Sequence, residues 1–416
     1  MSLLDRFCRY TQVETTANDE TRDYPSSPGQ RELGRMLADE LRQIGLADAR
    51  QDEHGLVWAD IPPTADGAPT IAWLAHLDTS PEYTARAVKP VVQRDYAGGD
   101  IVLPGDPSKV LRAADTPELA ELKGKTLITT DGTTLLGADD KAGVAVIVTA
   151  AERLLKQRSV RHGRIRVIFT CDEEIGRGCE KLDVAQIGAA CAYTLDGEGA
   201  GLIENETFSA DLATVTITGR NTHPGYATGK LLSAIRLAAL FVGRMPWQTR
   251  APETTAGRDG FLHPYTIEGG VAQTRLKIIL RSFQTRELEE QAAILRNIAA
   301  TITAEHRHAQ IDVDIRPQYR NMAEYLTREP RAVDLAAAAY RKLGIEPTFK
   351  AIRGGTDGSR LSEMGLPTPN LSAGMHNFHS PLEFACLEQM EAAVDLLIEL
   401  AGLWGAERAR AGRAGE

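Results

Sequence analysis

Apolar positions along this chain follow two rhythms. Leu3, Leu4, Phe7 and Tyr10 mark one helical face near the start. Leu33, Met36, Leu37, Leu41 and Ile44 mark a second within Pro28 to Ile44, and Gly45 supplies a helix stop. Short strands are then expected at 54–61 and 70–76. Thr70 to Ala75 is nearly all apolar, as in a central strand buried on both faces. Arg164 to Thr170 and Cys191 to Leu195 repeat that pattern. Between them, Leu135 and Leu136 lead through Gly137-Ala138-Asp139-Asp140-Lys141-Ala142-Gly143 into a helical apolar pattern from Val144 to Leu155. Pro81 to Gly124 has little periodicity and many turn residues, so it reads as a long irregular excursion.

The rhythm changes after Phe208. Asp211 to Gly219 alternates apolar and polar residues, as a half-exposed strand does. A loop at Asn221 to Gly225 leads to a helix around Leu231 to Phe241. Strands are expected at Thr274 to Phe283 and Ile311 to Ile315, with a helix from Thr285 to Glu305 between them. This order predicts a small α+β domain inserted at 208–320 between catalytic-domain parts at 1–207 and 321–416. The last part resumes the first style. It has a helix from Arg331 to Leu343, a glycine-rich loop at Arg353 to Gly358, and a closing helix from Leu387 to Leu403. The Ala/Arg/Gly tail from Glu407 is expected to fray.

A chain of 416 residues exceeds one ordinary core, in keeping with two domains. A hydrophobic share of 43% is globular, and a net charge of −10 without a basic block argues against nucleic acid and anionic membrane as partners. No apolar run is long enough to span a bilayer. Asp5, Arg6, Arg9 and Glu14 interrupt the start, so no secretory leader is expected. Cys8, Cys171, Cys179, Cys191 and Cys386 form no CxxC pair and read as small hydrophobes or bystanders in a reducing cytoplasm.

The chemistry gathers at the ends of the apolar runs. Thr70 to Ala75 ends in His76-Leu77-Asp78, whose outer two residues share a face in extended backbone. Arg164 to Thr170 ends in Asp172-Glu173-Glu174, Cys191 to Leu195 ends in Asp196, and the apolar lead-in ends at Asp139. Open α/β sheets place ligands at such strand ends. With His379, the candidate metal ligands are His76, Asp139, Glu174, Asp196 and His379. Imidazole and carboxylate without thiolate suit zinc, cobalt or manganese in a hydrolytic site. Asp139 is the candidate bridge between two ions. One of Glu173 and Glu174 can bind metal while the other accepts a proton, and Asp78 can orient His76. The other histidines, His54, His162, His263, His306, His308 and His376, read as structural.

Seven stretches carry a resemblance. They are His76 to Pro81, Leu127 to Gly132 continuing through Leu135 to Gly143, Asp172 to Glu174, Tyr193 to Gly197, His223-Pro224-Gly225, Ile352 to Gly358, and Asn377 to His379. In this order the chain resembles the peptidase T family, the tripeptide-aminopeptidase branch of the dinuclear zinc exopeptidases. The resemblance implies a mixed-sheet α/β catalytic domain with an inserted lid and dimerisation domain, hence a homodimer. It implies two zinc ions, one on His76, Asp139 and Asp196 and one on Asp139, Glu174 and His379. It implies Glu173 as general base, Asp78 behind His76, and His223 as a lid histidine reaching a neighbouring subunit's site. It further implies substrate contacts from Arg281, Arg353, Gly355 and Thr356. Ser380-Pro381-Leu382 after His379, Val146, Glu198 and the Leu-Arg-Ser-Phe setting of Arg281 depart from the family pattern, and none removes a ligand. Neighbouring readings are a dipeptidase or an N-acyl amino acid deacylase on the same centre. A reading of a different class is a non-catalytic protein that binds metal and peptide.

Overall fold

The apolar runs form the middle of one sheet. Strands Ile71–His76, Ile165–Thr170 and Cys191–Glu198 lie side by side and parallel, and Asn370–His376 continues parallel to the last. Val57–Ile61 pairs antiparallel with Ile165–Thr170, and Phe384–Cys386, Leu127–Thr129 and Val91–Gln93 extend the other side, in a mixed sheet of 11 strands. All six residues of Ile71–His76 are buried, as parallel strands covered on both faces require. Register puts His76 opposite Thr170 and Leu74 opposite Thr194, so the carboxyl ends of the three strands finish at one edge. That edge is the place where a parallel sheet leaves room for chemistry.

The computed structural model describes residues 1–408, and the tail from residue 409 on lies outside the described residues. Those residues divide into two compact units. The first contains the large sheet and comprises Met1–Asn205, Met322–Lys350 and the chain from Thr356 onward. Its central helix, Ala138–Lys156, packs on strands Ile71–His76, Cys191–Glu198 and Asn370–His376, with helices Leu3–Thr11 and Leu387–Ala406 beside it. It is buried almost all round, as its apolar composition demands. Gly143 permits the approach, because a Cβ there would stand 2.1 Å from the carbonyl oxygen of Leu195. One polar network crosses this core: Arg6 Nε meets Glu40 at 2.7 Å, Arg6 Nη1 donates to Thr149 at 3.1 Å, and Tyr10 donates to Glu40 at 2.9 Å.

The irregular excursion has its own small core of Tyr96, Leu111, Leu119 and Leu122 against Leu127, Phe384 and Cys386. Its strands are short, three residues in Val91–Gln93 and two each in Ile101–Val102 and Val110–Leu111, too few to carry a period. All five cysteines are free, and four of them are buried.

The second unit comprises Glu206–Asn321 with Ala351–Gly355. Four antiparallel strands run in the order Phe261–Gly269, Gln273–Ser282, Ser209–Thr218, Gln310–Tyr319. Helices Ala234–Gly243 and Thr285–Glu305 cover the sheet, and Val215, Phe241, Leu276, Leu295 and Ile302 lie at the centre of its core. Phe261–Gly269 does not follow from the apolar pattern. It is an edge strand with Pro264 at a register shift, where sheets tolerate proline and exposed side chains.

Candidate metal centre

Backbone geometry at Gly137 to Asp140 makes the centre. Gly137 is left-handed (φ +75°), and Asp139 and Asp140 depart from helical φ and ψ, so the regular helix begins at Lys141. Asp140 Oδ1 accepts the amide of Gly143 at 3.2 Å, and its Oδ2 accepts the amide of His76 at 3.1 Å. Asp140 therefore caps the helix and ties it to the end of the central strand. Asp139 is thereby released from capping.

The two oxygens of Asp139 face different partners. Oδ1 is 2.9 Å from His76 Nε2, which is also 3.7 Å from Asp196 Oδ1. Oδ2 is 3.3 Å from His379 Nε2, which is 2.9 Å from Glu174 Oε2. The trios His76–Asp139–Asp196 and Asp139–Glu174–His379 each bring donor atoms within 4.8 Å of one another. All five expected ligands thus form two groups joined through Asp139.

Asp78 organises both sides. Its carboxylate is 3.4 Å from His76 Nδ1, and its two oxygens accept the amides of Glu173 and Glu174 at 3.1 and 3.0 Å. Asp172, the first of the three acids, turns away in a left-handed conformation and is buried against Ser26 and Gln30. That leaves Glu173 and Glu174 at the centre without a third charge. Glu173 Oε1 accepts the amide of Asp357 at 3.2 Å.

Charge in the cluster is unbalanced. Burial opposes ionisation of Asp139, but hydrogen bonds from His379 and His76 outweigh it and hold the group below the usual carboxylate range. Burial, then the charge of Asp139, holds Asp196 well above that range and brings Glu174 to about 7. Burial also raises Glu173 strongly, with His76 opposing and Asp357 and Asp196 adding to the rise. Hydrogen bonds to Asp139 and Glu174 lift His379 to about 11. Burial opposes the charge on His76, but hydrogen bonds to Asp139, Asp196 and Asp78 prevail and raise its pKa. Glu174 Oε1 is buried with no hydrogen-bond partner among the described residues, an acceptor that a cation would satisfy. Donor chemistry, shared carboxylate and unpartnered oxygen all fit a pair of divalent ions.

Two groups at this centre, Glu383 and Glu82, lie outside the motifs, and a third, Lys141, lies inside one without a role read from it. Glu383 accepts backbone amides of the Asp139 turn. Glu82 Oε2 stands 3.3 Å from His379 Nδ1, on the ring's far side. Buried Lys141 donates to the Val13 carbonyl at 2.7 Å, and burial lowers its pKa to about 7 against the pull of Glu383 and Asp78. None has a spacing signal in the sequence, because their partners are backbone atoms or residues far along the chain.

Thr356 belongs to the first unit and caps helix Asp357–Glu363. His223, Arg281, Arg353 and Gly355 belong to the second. His223 is exposed and accepts the Gly225 amide on Nδ1 at 3.1 Å. Arg281 Nη1 is buried without a hydrogen-bond partner among the described residues, and burial lowers the guanidinium pKa to about 10. Tyr319 lies under it, 4.9 Å from ring centroid to guanidinium, with its own hydroxyl also unpartnered. Gly355 lets that ring approach, since a Cβ would stand 2.4 Å from it. Arg353 is held by the carbonyls of Gly257 and Asp259 at 2.7 and 3.0 Å, over the rings of Phe208 and Phe261.

The peptidase family M20/M25/M40 model matches residues 129–402, which include Asp139, Glu173, Glu174, Asp196 and His379. A protein named peptidase T from Geobacillus thermodenitrificans is 47% identical over 403 residues, covering 97% of this chain and 98% of its own length. The chain belongs to peptidase family M20/M25/M40. The family fold appears in a tripeptidase from Staphylococcus aureus, with a TM-score of 0.76 at 22% identity, covering 97% of this chain and 98% of that one. It appears again in a dinuclear metal-binding peptidase of the M20 family from Bacillus subtilis, with a TM-score of 0.64 at 17% identity, covering 96% and 97%. These two structures support the mixed α/β fold, and the family membership makes the protein a metallopeptidase. Among the described residues, no helix is long and apolar enough to cross a membrane.

Proposed function

We propose that this metallopeptidase is a dinuclear zinc aminopeptidase that releases the N-terminal residue from tripeptides. The division of Asp139's two oxygens between the two histidine–carboxylate groups carries this reading. His76, Asp139 and Asp196 would hold one ion, and Asp139, Glu174 and His379 the other. When bound, such a pair supplies Lewis acidity and lowers the pKa of water. Glu173 is the base: it belongs to neither trio, lies between the Asp78 and Asp357 contacts, and can pass a proton from water to the departing amine. Asp78 positions His76 and the amides of Glu173 and Glu174 together.

Tripeptide selection is inferred from the peptidase T relatives and from chemistry in the second unit. Arg281, unpaired by any carboxylate among the described residues, suits a peptide's terminal carboxylate through its bidentate fork. Arg353 and Gly355 form the wall around that subsite, and Thr356 sets the start of the helix that holds Glu173. We assign His223 to steadying the developing oxyanion in a homodimer formed through the second unit, whose exposed Ile235, Trp247 and Ile267 offer apolar surface. Five free thiols suit a reducing cytoplasm.

The test compares hydrolysis of a tripeptide, the corresponding dipeptide and the N-acetylated tripeptide. The expected result is turnover of the free tripeptide and loss of it on acetylation. Preference for the acetylated peptide would favour a deacylase, and hydrolysis of none would favour a binding protein.

A further inference from the structure

Glu383 lies just past His379 and is 1% exposed. Its Oε2 accepts the amides of Leu136 and Gly137, both at 2.8 Å, and its Oε1 accepts the amide of Asp139 at 3.0 Å. Amides at a helix start have no intrahelical acceptor, and the irregular backbone here makes that deficit larger. A buried carboxylate with both oxygens on three backbone donors holds the whole turn from one side.

The same chain segment carries a metal-type ligand. Ser380 Oγ donates to the Asn377 carbonyl at 2.9 Å, the Leu382 amide to Ser380 Oγ at 3.1 Å, and the Glu383 amide to the Ser380 carbonyl at 3.2 Å. This closed turn joins His379, left-handed at φ +58°, to Glu383. Ser380-Pro381-Leu382 is therefore the body of a clamp. One end presents His379 and the other grips the turn that presents Asp139.

We propose that Glu383 is a positioning residue that sets the place of the Asp139 carboxylate and thereby the affinity of both metal positions together. This rests on the dinuclear metallopeptidase reading. Two properties follow from the contacts. The effect reaches both ions, because Asp139 serves both groups. It acts on metal binding ahead of fold stability, because the three amides belong to one turn and not to the sheet.

The test compares Glu383→Gln with Glu388→Gln in the full chain. Glu388 also accepts a backbone amide, that of Thr126 at 3.1 and 2.8 Å, and touches no ligand of either trio. Zinc affinity is read by chelator competition, and backbone protection at Leu136, Gly137 and Asp139 by hydrogen exchange. Glu383→Gln is expected to weaken both ions by about 10–100-fold and to deprotect those amides. Excess zinc should restore its activity, whereas Glu388→Gln should bind as the wild type does. Unchanged affinity in Glu383→Gln, loss of a single ion, or equal weakening in Glu388→Gln overturns the proposal. Failure of both Glu383→Gln and Glu383→Asp to fold overturns it too, since Glu383 would then be a folding residue. If the wild type binds no ion pair, the metallopeptidase reading itself fails. That outcome is distinct from a wild type that binds two ions and a variant that binds them equally well.

Discussion

Asp139 and Asp140 are adjacent and buried, yet they have opposite duties, and separating those duties is a demanding perturbation. Asp140→Ala strips the acceptors from two buried amides, those of His76 and Gly143. At roughly 1–3 kcal/mol for each group left unsatisfied, the loss is about 2–6 kcal/mol. For a large domain that lowers the melting temperature by on the order of 10 °C. Below that temperature the variant should still bind both ions, because neither oxygen of Asp140 belongs to a trio. Asp139→Ala removes one oxygen from each trio and leaves the pairs His76–Asp196 and His379–Glu174. Both ions should be lost. Asp139→Asn restores a single acceptor oxygen and should support one ion at most. The assay is elemental analysis after dialysis against a weak chelator, with thermal melts on the same samples. A full ion retained by Asp139→Ala, or both lost by a folded Asp140→Ala, would refute this division.

Glu173→Gln should keep its metal complement while kcat falls by about 10²–10⁴-fold, read by elemental analysis beside peptide turnover. Zinc binding to stripped protein at neutral pH should release protons. His76 and His379 have raised pKa values and are charged there, yet each must be neutral to ligate. Calorimetry in buffers of different ionisation enthalpy reads the count, apparent affinity should rise with pH, and binding without proton release would contradict the charge assignment. Gly143→Ala places a methyl 2.1 Å from the Leu195 carbonyl and 2.4 Å from Asp140 Oδ1. It should cost about 1–3 kcal/mol or more in a denaturant melt, and an unchanged midpoint would mean that the helix can withdraw from the strand freely.

Much of the first unit was legible because buried parallel strands write themselves as unbroken apolar runs. Ile71–His76, Ile165–Thr170 and Cys191–Glu198 follow from that pattern alone, and the residues after them are those that the register brings to one edge. Edge strands were less legible. Phe261–Gly269 is largely exposed, and exposure removes the apolar alternation that would mark it. At the centre, the candidate ligands were readable as a set, and the structure brings them together, because imidazoles and carboxylates gathered at successive buried strand ends would repel or stay unsatisfied without a cation to hold. Glu383 was not readable, since its partners are backbone amides that no residue type announces. Asp172 shows the converse. It sits in the acidic run, yet its side chain belongs to the N-terminal segment through Ser26 and Gln30.

The central claim is that two metal positions sharing Asp139 make one hydrolytic site. Titrating zinc into chelator-stripped protein while following hydrolysis of a free tripeptide tests it most directly. The expected curve starts from no turnover and reaches its plateau at about two equivalents per chain. Full turnover in stripped protein, or a plateau at one equivalent, would contradict it.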